Sequence, residues 1–415
     1  MKRIILHIDM NSYFATCEQQ ANPFLRGKPV GVCAYLSKNG CIIASSIEAK
    51  KFGVKTGCRV FEAKELCPQI ILLENEPAKY RSITQKIFSI LSDYTDSVEP
   101  YSIDEAFLDL TGFSHNFKEA KTIAEQVNQR IKKEVGEWLK ASIGISETRF
   151  LAKFASDIAE KDSILIIEKE KAYKFFDREL TDAWGINTRL QIRLNALGIF
   201  TLNDLRRYPV ANLLPVFGKV GYHLWANVNG IELEGVKNEQ KLKPKSVGHT
   251  YCLPRRTKDK NYLLAILLKL CEKTGRRLRK LECEAETICF GFSYVHGGGF
   301  YKVKKMKNPV FETKNIFLAA KKLFLANELQ DQVSFLAVSL SGLIPLQNQA
   351  SLFYDNLALK KLSLSMDQIN DKYGEHTVFL GTMFGTEKYA RDRIGFRKTI
   401  EVDKGVKEGI EYLGE

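Results

Sequence analysis

The stretch VEPYSIDEAFLDL, residues Val98 to Leu110, reads as two short strands around a tight turn that carries two adjacent acids, Asp104 and Glu105. Upstream, RIILHID at residues 3 to 9 reads as a buried strand ending on an acid, Asp9, and residues 77 to 95 read as a helix. Downstream, the run from Phe117 to Val135 has helical periodicity, and ASIGIS at 141 to 146 is a further strand. The order β, α, β, β, α, β is that of a split-βαβ, ferredoxin-like sheet with residues 11 to 76 inserted after the first strand. First and third strands are central neighbours in such a sheet, so Asp9, Asp104 and Glu105 are expected to converge at one edge.

An Asp-Glu pair on a turn is most often a solvated turn, and its meaning depends on its surroundings. Three clustered carboxylates repel one another unless cations lie between them. Such a cluster suits two Mg²⁺ ions about 3.5 to 4 Å apart, one activating a hydroxyl and the other holding a triphosphate.

The charge balance names the kind of partner. Lys plus Arg outnumber Asp plus Glu by 62 to 49, a net +13 with a pI near 9.1. Between Lys237 and Val310 there are 18 basic and six acidic residues, so +12 of that excess lies in 74 residues. An excess this concentrated points to a polyanion, nucleic acid before membrane. A length of 415 residues implies two to four domains and excludes a disulfide miniprotein, and 45% hydrophobic with 27% charged residues argues against disorder or a fibrous repeat. No apolar window reaches the roughly 18 residues of a membrane span. MKRIILHIDM meets an acid too early for a signal peptide. Nine cysteines without a C-x-x-C pair and six scattered histidines suit reduced thiols rather than a zinc site or a disulfide framework.

Residues 168 to 232 read as mostly helical, with Gly-centred turns at Trp184-Gly185-Ile186-Asn187 and Phe217-Gly218-Lys219-Val220-Gly221 that each lead into an amphipathic helix. Paired turns of this kind read as helix-hairpin-helix units, whose backbone N–H groups bind phosphates without reading bases. A Lys-rich connector from Val236 to Lys245 leads into a second α+β unit ending near Leu343, and a polar tail follows with an amphipathic helix at about 356 to 373. The fold class is therefore α+β and multidomain.

The string HIDMNSYFATCEQQANPFLRGKPVGVC at 7 to 33, EAKKFGVKTG at 48 to 57 and YSIDEAFLDLTG at 101 to 112 resemble the Y-family lesion-bypass DNA polymerases of DinB and UmuC type. The likeness continues through LAKFASDIA at 151 to 159, DAWGIN with LNALGI, and Lys245-Ser246-Val247-Gly248. The polar tail and DRIGF at 392 to 396 look closer to the UmuC-like branch. The resemblance implies a palm at 1 to 10 and 77 to 167, fingers at 11 to 76, a thumb at 168 to 232, a basic linker at 233 to 244, a little finger at 245 to 345 and a tail at 346 to 415. It also implies an error-prone translesion DNA polymerase without proofreading, cytoplasmic and nucleoid-associated, acting on primer-template DNA and deoxynucleoside triphosphates.

Position by position, Asp9, Asp104 and Glu105 match the family's metal-binding carboxylates and the Met10 carbonyl its backbone ligand, for two Mg²⁺ ions with Mn²⁺ as a substitute. Phe14 matches the ring that collides with a ribose 2′-OH, and the Tyr13 N–H flanks the triphosphate. Ser45, between Ala44 and Ser46 on the fingers, Lys50 and Lys161 complete the nucleotide site. DNA contacts are expected from Gly185, Asn187, Gly218, Lys219, Gly221, Lys245, Arg255, Arg256, Lys302, Lys304 and Lys305. Gln349-Ala350-Ser351-Leu352-Phe353 resembles the peptide by which bacterial polymerases dock on the sliding clamp, and an accessory mutagenesis protein is a further expected partner.

Departures from the family pattern bear on the triphosphate. Ile47 and Lys50 stand where many DinB enzymes have Tyr and Arg, and Lys lacks Arg's bidentate fork. The family's phosphate-binding Lys falls on Glu160, so either Lys161 takes over or the site is weakened. Asn187 replaces the second Gly of the first hairpin and tolerates a left-handed backbone. Two other readings remain at this point: a scaffold of this family weakened in catalysis that binds DNA and clamp, and a nucleotidyl cyclase on the same sheet.

Overall fold

The computed structural model describes residues 2–237, 244–346, 356–386, 389 and 390, and its internal contacts divide it into two units that meet between 237 and 244. In the first unit β1 (Ile5–Met10) leads through α1 (Tyr13–Ala21) into an inserted lobe of β2 (Val30–Cys33), β3 (Ile42–Ser45), α2 (Ile47–Lys51), α3 (Val60–Leu66) and β4 (Ile71–Glu74). The chain returns as α4 (Pro77–Ser92), β5 (Val98–Pro100), β6 (Glu105–Asp109), α5 (Phe117–Arg130), β7 (Ala141–Ser146), α6 (Arg149–Ile158) and β8 (Ile164–Ile166). The strand order is β5-β6-β1-β7-β8, the ferredoxin-like order with β8 added parallel to β7 at the edge. The lobe has its own sheet, β3-β2-β4, over a small core of Ile42, Val54, Val60 and Ile70. Although it lies inside the inserted stretch, α1 buries Tyr13, Phe14, Ala15 and Cys17 in the main core, against Ile8, Tyr80 and Ile83.

Local chemistry sets these elements. Asn116 caps α5 by accepting from the N–H groups of Lys118 and Glu119, and Thr148 caps α6 through Leu151. The helical run that starts at Phe117 ends in one wide turn, Ile131–Val135, whose Ile131 and Val135 stay buried. Gly144 decides where α6 lies: a Cβ there would stand 2.0 Å from the Ala152 carbonyl and 2.4 Å from the Ser156 nitrogen. Only glycine lets the helix backbone rest on β7.

After two short 3₁₀ turns, Lys169–Phe175 and Leu180–Asp182, come α7 (Thr188–Asn195), α8 (Leu202–Arg207), α9 (Val210–Phe217) and α10 (Lys219–Val228). Their core, Leu194, Leu202, Leu205, Leu213 and Leu224, is shared with Phe150, Leu151 and Phe154 of α6. The helical lobe is thus built on the outer side of the helix that packs the sheet.

The second unit contains β9 (Ser246–Thr257), α11 (Lys260–Lys280), β10 (Cys283–Tyr294), β11 (Gly299–Val310), α12 (Thr313–Leu325), β12 (Val333–Pro345) and α13 (Asn356–Tyr373). Its antiparallel sheet runs β11-β10-β12-β9, with α11 and α12 packed on one face over Ile288, Phe290, Phe292, Leu336 and Val338. The unit continues past β12. On α13, Asp367 receives the guanidinium of Arg279 at 2.9 Å and Lys360 pairs with the buried Glu284, so the tail helix is fixed to α11 and β10. Among the described residues no helix is long and apolar enough to cross a membrane.

One buried ion pair ties the first unit together. Arg149 at the start of α6 donates to Glu99 of β5 at 2.6 Å and lies 4.6 Å from the centre of the Phe107 ring, while the Lys237 N–H donates to the other Glu99 oxygen at 2.7 Å. Both side chains are almost fully buried, so removing one leaves the other charge uncompensated. Glu99→Gln is expected to cost about 3 kcal/mol or more in urea unfolding. A loss below about 1 kcal/mol, the scale of a solvated surface pair, would contradict that burial.

Candidate active site

The central strands place the acids. Asp9 on β1 stands in register with Glu105 on β6, and the Met10 N–H donates to the Asp104 carbonyl at 3.0 Å, which fastens the acidic turn to the end of β1. The N–H groups of Tyr101 and Ser102 both donate to the Glu105 carbonyl, at 2.9 and 3.1 Å, and close the turn. The Ser102 hydroxyl donates to the Asp104 carboxylate and lies 3.3 Å from Glu105. Lys153 of α6 reaches Glu105 at 2.6 Å and Asp157 at 3.3 Å. His7, fully buried, has Nε2 3.3 Å from Glu105 and Nδ1 2.6 Å from the Ser156 hydroxyl.

The three carboxyls titrate differently. Burial, then the charges of Glu105 and Asp104, push Asp9 up to about 8, and burial also raises Asp104. Burial would raise Glu105 too, but His7 and Lys153 outweigh it and hold this carboxyl at about 2. Burial lowers His7 to about 4, so the imidazole is neutral near pH 7.

Among the described residues no three His, Cys, Asp or Glu side chains stand close enough together to enclose a metal ion. Glu105 is turned to Lys153 and Asp104 to Ser102, while no donor among the described residues reaches the Asp9 carboxylate. The donor set nevertheless suits a hard divalent cation: three carboxylates at one strand edge, with the Asp9 carboxyl raised by burial and then by its two acidic neighbours.

Beside the acids, the chain turns sharply into α1 through Ser12, whose φ of 52° is left-handed. Asn11, buried, holds that turn: its N–H donates to the Lys140 carbonyl at 2.8 Å, its Nδ2 to the Ser142 hydroxyl at 3.0 Å, and its Oδ1 accepts from the Asp162 N–H at 2.9 Å. The last bond joins the start of α1 to the loop that carries Glu160 and Lys161. Lys50 donates to the Ser12 hydroxyl at 2.8 Å, and its ammonium is depressed by desolvation and by the charge of Lys161, with Asp9 opposing. Lys50 thus feels the charges of both Lys161 and Asp9.

Phe14 is 8% exposed, its ring 4.7 Å from that of Tyr80. Tyr80 is itself fixed by Glu18, which accepts its hydroxyl at 2.7 Å and pairs with Lys79 at 3.0 Å. The Tyr13 hydroxyl donates to the Tyr80 carbonyl at 2.9 Å. Ser45 is fully buried and its hydroxyl donates to the Val54 carbonyl at 2.9 Å, so that side chain is occupied within the inserted lobe rather than offered to a nucleotide. Sequence reasoning missed Lys153, His7, Asn11, Ser102 and Tyr80.

In the helical lobe Gly185 takes a φ of 94° and Gly218 a φ of 55°, as tight turns require. Asn187 departs from expectation. Its backbone is extended, with φ −94° and ψ 170°, and its side chain caps α7 by accepting from the Leu190 N–H at 2.9 Å. Gly185, two residues earlier, has already reversed the chain, which leaves Asn187 free to cap. Gly221 lies inside α10, where a Cβ would stand 2.9 Å from that of Phe217, so it serves close packing on α9. Lys219 is exposed at the start of α10.

The basic residues of the second unit divide. Lys245 and Arg255 are exposed, with Arg255 over the Tyr262 ring, whereas Arg256 donates to the carbonyls of Leu253 and Ser334 and pins β9 to β12. On β11, Lys305 pairs with Thr287, Val303 with Cys289 and Tyr301 with Gly291, on the face away from the helices. Lys302 and Lys304 pair with the core residues Phe290 and Ile288 and so stand on the other face of this edge strand. On α11, Lys269, Lys273 and Arg279 are buried, and Arg276 and Arg279 pair with Asp371 and Asp367 of α13. Much of that helix's charge is answered by the tail. Gln349, Leu352 and Phe353 lie outside the described residues.

The profile of the impB/mucB/samB family matches residues 8–157, and that of its C-terminal domain matches 244–352. The chain is 32% identical to DNA polymerase IV of Pelotomaculum thermopropionicum over 402 residues, 96% of this chain and 100% of that one. It is 33% identical to DNA polymerase IV of Bacillus velezensis over 97% of its length and 98% of the relative's. With DNA polymerase IV 1 of Bacillus subtilis the identity is 31% over 97% and 98% of the two chains. These matches run into the tail, so the tail's presence does not single out the UmuC-like branch. Among solved structures, a Y-family DNA polymerase chimera of Dbh and Dpo4 superposes with a TM-score of 0.73 at 25% identity, over 82% of this chain and 99% of that one. An insertion ternary complex of Dbh DNA polymerase gives a TM-score of 0.57 at 26% identity over the same shares.

The elevated Asp9 carboxyl sets an expectation for metal binding. An ion held by Asp9 displaces its proton, so Mn²⁺ affinity should rise about tenfold per pH unit up to about pH 8 and level off above it. Electron paramagnetic resonance of free Mn²⁺ measures this. A flat profile from pH 6 to 8 would mean that Asp9 is already ionised.

Proposed function

The chain belongs to the impB/mucB/samB family, the Y-family DNA polymerases, and we propose that nucleotide addition takes place where Asp9 faces Glu105 across the central strands. It is a DNA-directed DNA polymerase of the translesion type, a metal-dependent nucleotidyltransferase that takes DNA and nucleotides as substrates. The observation that carries the site is the cross-strand pair together with the bond from Met10 to Asp104, which gathers three acids and a backbone carbonyl at one edge. Asp9, Asp104, Glu105 and the Met10 carbonyl would hold two Mg²⁺ ions, or Mn²⁺ in their place. Ions held there would supply Lewis-acid chemistry, acidifying a primer hydroxyl and offsetting charge on a triphosphate.

The chain's own residues do the positioning. Lys50 and Lys161 supply two point charges to the triphosphate, with Lys161 in place of the cation missing at 160. Backbone N–H groups at the start of α1, Tyr13 among them, face the phosphates, as the positive end of a helix favours. The Phe14 ring, seated on Tyr80, lies under the incoming sugar and excludes a 2′-OH. Small residues at 44 to 46 leave the nascent pair loosely enclosed, which suits damaged templates and low fidelity.

Phosphates of the duplex would meet the turns at Gly185 and Gly218, Lys219, the exposed Lys245, Arg255, Lys302 and Lys305, and the half-buried Lys304. The Gln349, Leu352 and Phe353 peptide fits a sliding clamp, where tethering raises effective concentration without new contacts at the active site. An accessory mutagenesis protein and a place on the nucleoid in the cytoplasm belong to the same reading. A scaffold without catalysis is disfavoured by three retained carboxylates, and a cyclase by the helical lobe and the basic second unit.

Primer extension on undamaged and abasic templates with Mg²⁺ tests the reading directly. Asp104→Ala or Glu105→Ala should lower nucleotide addition by about 100-fold or more while leaving duplex affinity, measured without divalent metal, within about threefold, because neither acid is among the proposed phosphate contacts. Extension above about a tenth of wild type by either variant would overturn the metal assignment. Replacing Phe14 with Val should relax discrimination against ribonucleotides by at least about tenfold, read as the ratio of single-nucleotide incorporation rates. An unchanged ratio would put the gate elsewhere.

A further inference from the structure

Lys153 has three acceptors within reach. Its ammonium is 2.6 Å from Glu105, 3.3 Å from Asp157 and 5.8 Å from the centre of the Tyr101 ring. The Tyr101 N–H donates to the Glu105 carbonyl at 2.9 Å, and its ring meets Phe107 edge-on at 5.5 Å. The Tyr101 ring also meets that of Trp184 edge-on, with ring centres 5.4 Å apart. Trp184 immediately precedes Gly185, the left-handed residue of the first hairpin turn. A contiguous set of contacts thus runs from that turn to Glu105.

We propose that Trp184, Tyr101 and Lys153 are positioning residues that couple DNA on the hairpin to metal binding at Glu105. The proposal rests on the reading above, in which the acids hold metal and the hairpin meets the duplex. Without a cation, Lys153 places its single positive charge against Glu105. An ion at Glu105 repels that ammonium, which can withdraw to Asp157 and to the face of Tyr101, both already beside it. The position of that face is set by Trp184. A duplex seated against the turn fixes Trp184 and with it the withdrawn place for Lys153, so the cost of releasing Glu105 falls. Linkage makes the effect mutual: DNA tightens metal and metal tightens DNA by the same factor.

The test uses the full chain, with Mn²⁺ as the metal probe and a primer-template duplex without nucleotide. Free Mn²⁺ is read by electron paramagnetic resonance after subtraction of the ion bound by DNA alone. Duplex should raise Mn²⁺ affinity about fivefold in wild type and in Tyr101→Phe, which keeps the ring. In Tyr101→Leu and Trp184→Ala the enhancement should fall below about twofold while Mn²⁺ affinity without DNA stays within about threefold, and Trp184→Phe, which keeps an aromatic edge, should restore it.

A protein whose only tryptophan is Trp184, made by Trp138→Phe and Trp225→Phe, gives a second readout. Mg²⁺ should change Trp184 emission, and Tyr101→Leu in that background should abolish the change although the metal still binds. Full enhancement in Tyr101→Leu together with Trp184→Ala overturns the coupling. Glu105→Ala separates the two readings: if it binds Mn²⁺ as wild type does, the metal assignment fails, whereas lost binding there with intact enhancement in the Tyr101 and Trp184 variants sinks the coupling alone.

Discussion

The pairing of Asp9 with Glu105 across β1 and β6 is the constraint around which the first unit is arranged. Two acids opposite one another on neighbouring strands are unfavourable unless something supplies positive charge. The fold supplies it from α6, whose Lys153 reaches Glu105 because the helix rests directly on β7 at Gly144. Any side chain at 144 would lift α6 away and withdraw Lys153 with it. The same helix turns its other side, through Phe150, Leu151 and Phe154, into the core of the helical lobe. One element therefore balances charge at the acidic cluster and carries the lobe that follows.

Function and stability draw on these contacts in different ways. The buried Arg149–Glu99 pair fixes the first residue of α6 to the edge strand β5, and the chain after α10 returns to the same carboxylate through Lys237. The acids at the site, by contrast, are less well partnered: among the described residues no donor reaches the Asp9 carboxylate, and the Asp104 carboxylate is met by the Ser102 hydroxyl rather than by a cation. A site held a little below electrostatic balance by a rigid frame is poised to accept divalent charge, and the neutral His7 behind it adds none.

Much of this could be read in the sequence, and the remainder could not for physical reasons. The apolar runs in RIILHID and EAFLDL, with the order of elements, suffice to bring Asp9, Asp104 and Glu105 to one edge, because a central, doubly buried strand leaves few choices of neighbour. Lys153 escaped notice since a lysine in LAKFASDIA looks like any helical surface residue until Gly144 draws that helix onto the sheet. Asn187 was expected to take a left-handed turn, but φ is set by the whole loop, and Gly185 had absorbed the reversal. A count of charges between 237 and 310 records their number and not their direction. It could not see that acids about a hundred residues later on α13 would cover Arg276 and Arg279, or that pairing with Phe290 and Ile288 would put Lys302 and Lys304 on the helix-bearing face of the sheet and leave Lys305 on the other.

That division of lysines has a meaning apart from DNA. β11 is an outermost strand, twelve residues long, and a long edge with free backbone groups is a template on which another chain can pair. Lysines on both of its faces, with Pro309 near its end, make it a poor one: a second strand laid alongside would bring its own neighbours against positive charge above and below the sheet at once. The charge that suits the unit to a phosphate backbone also keeps copies of it from adding to one another's sheets when the protein is concentrated and no DNA covers the edge.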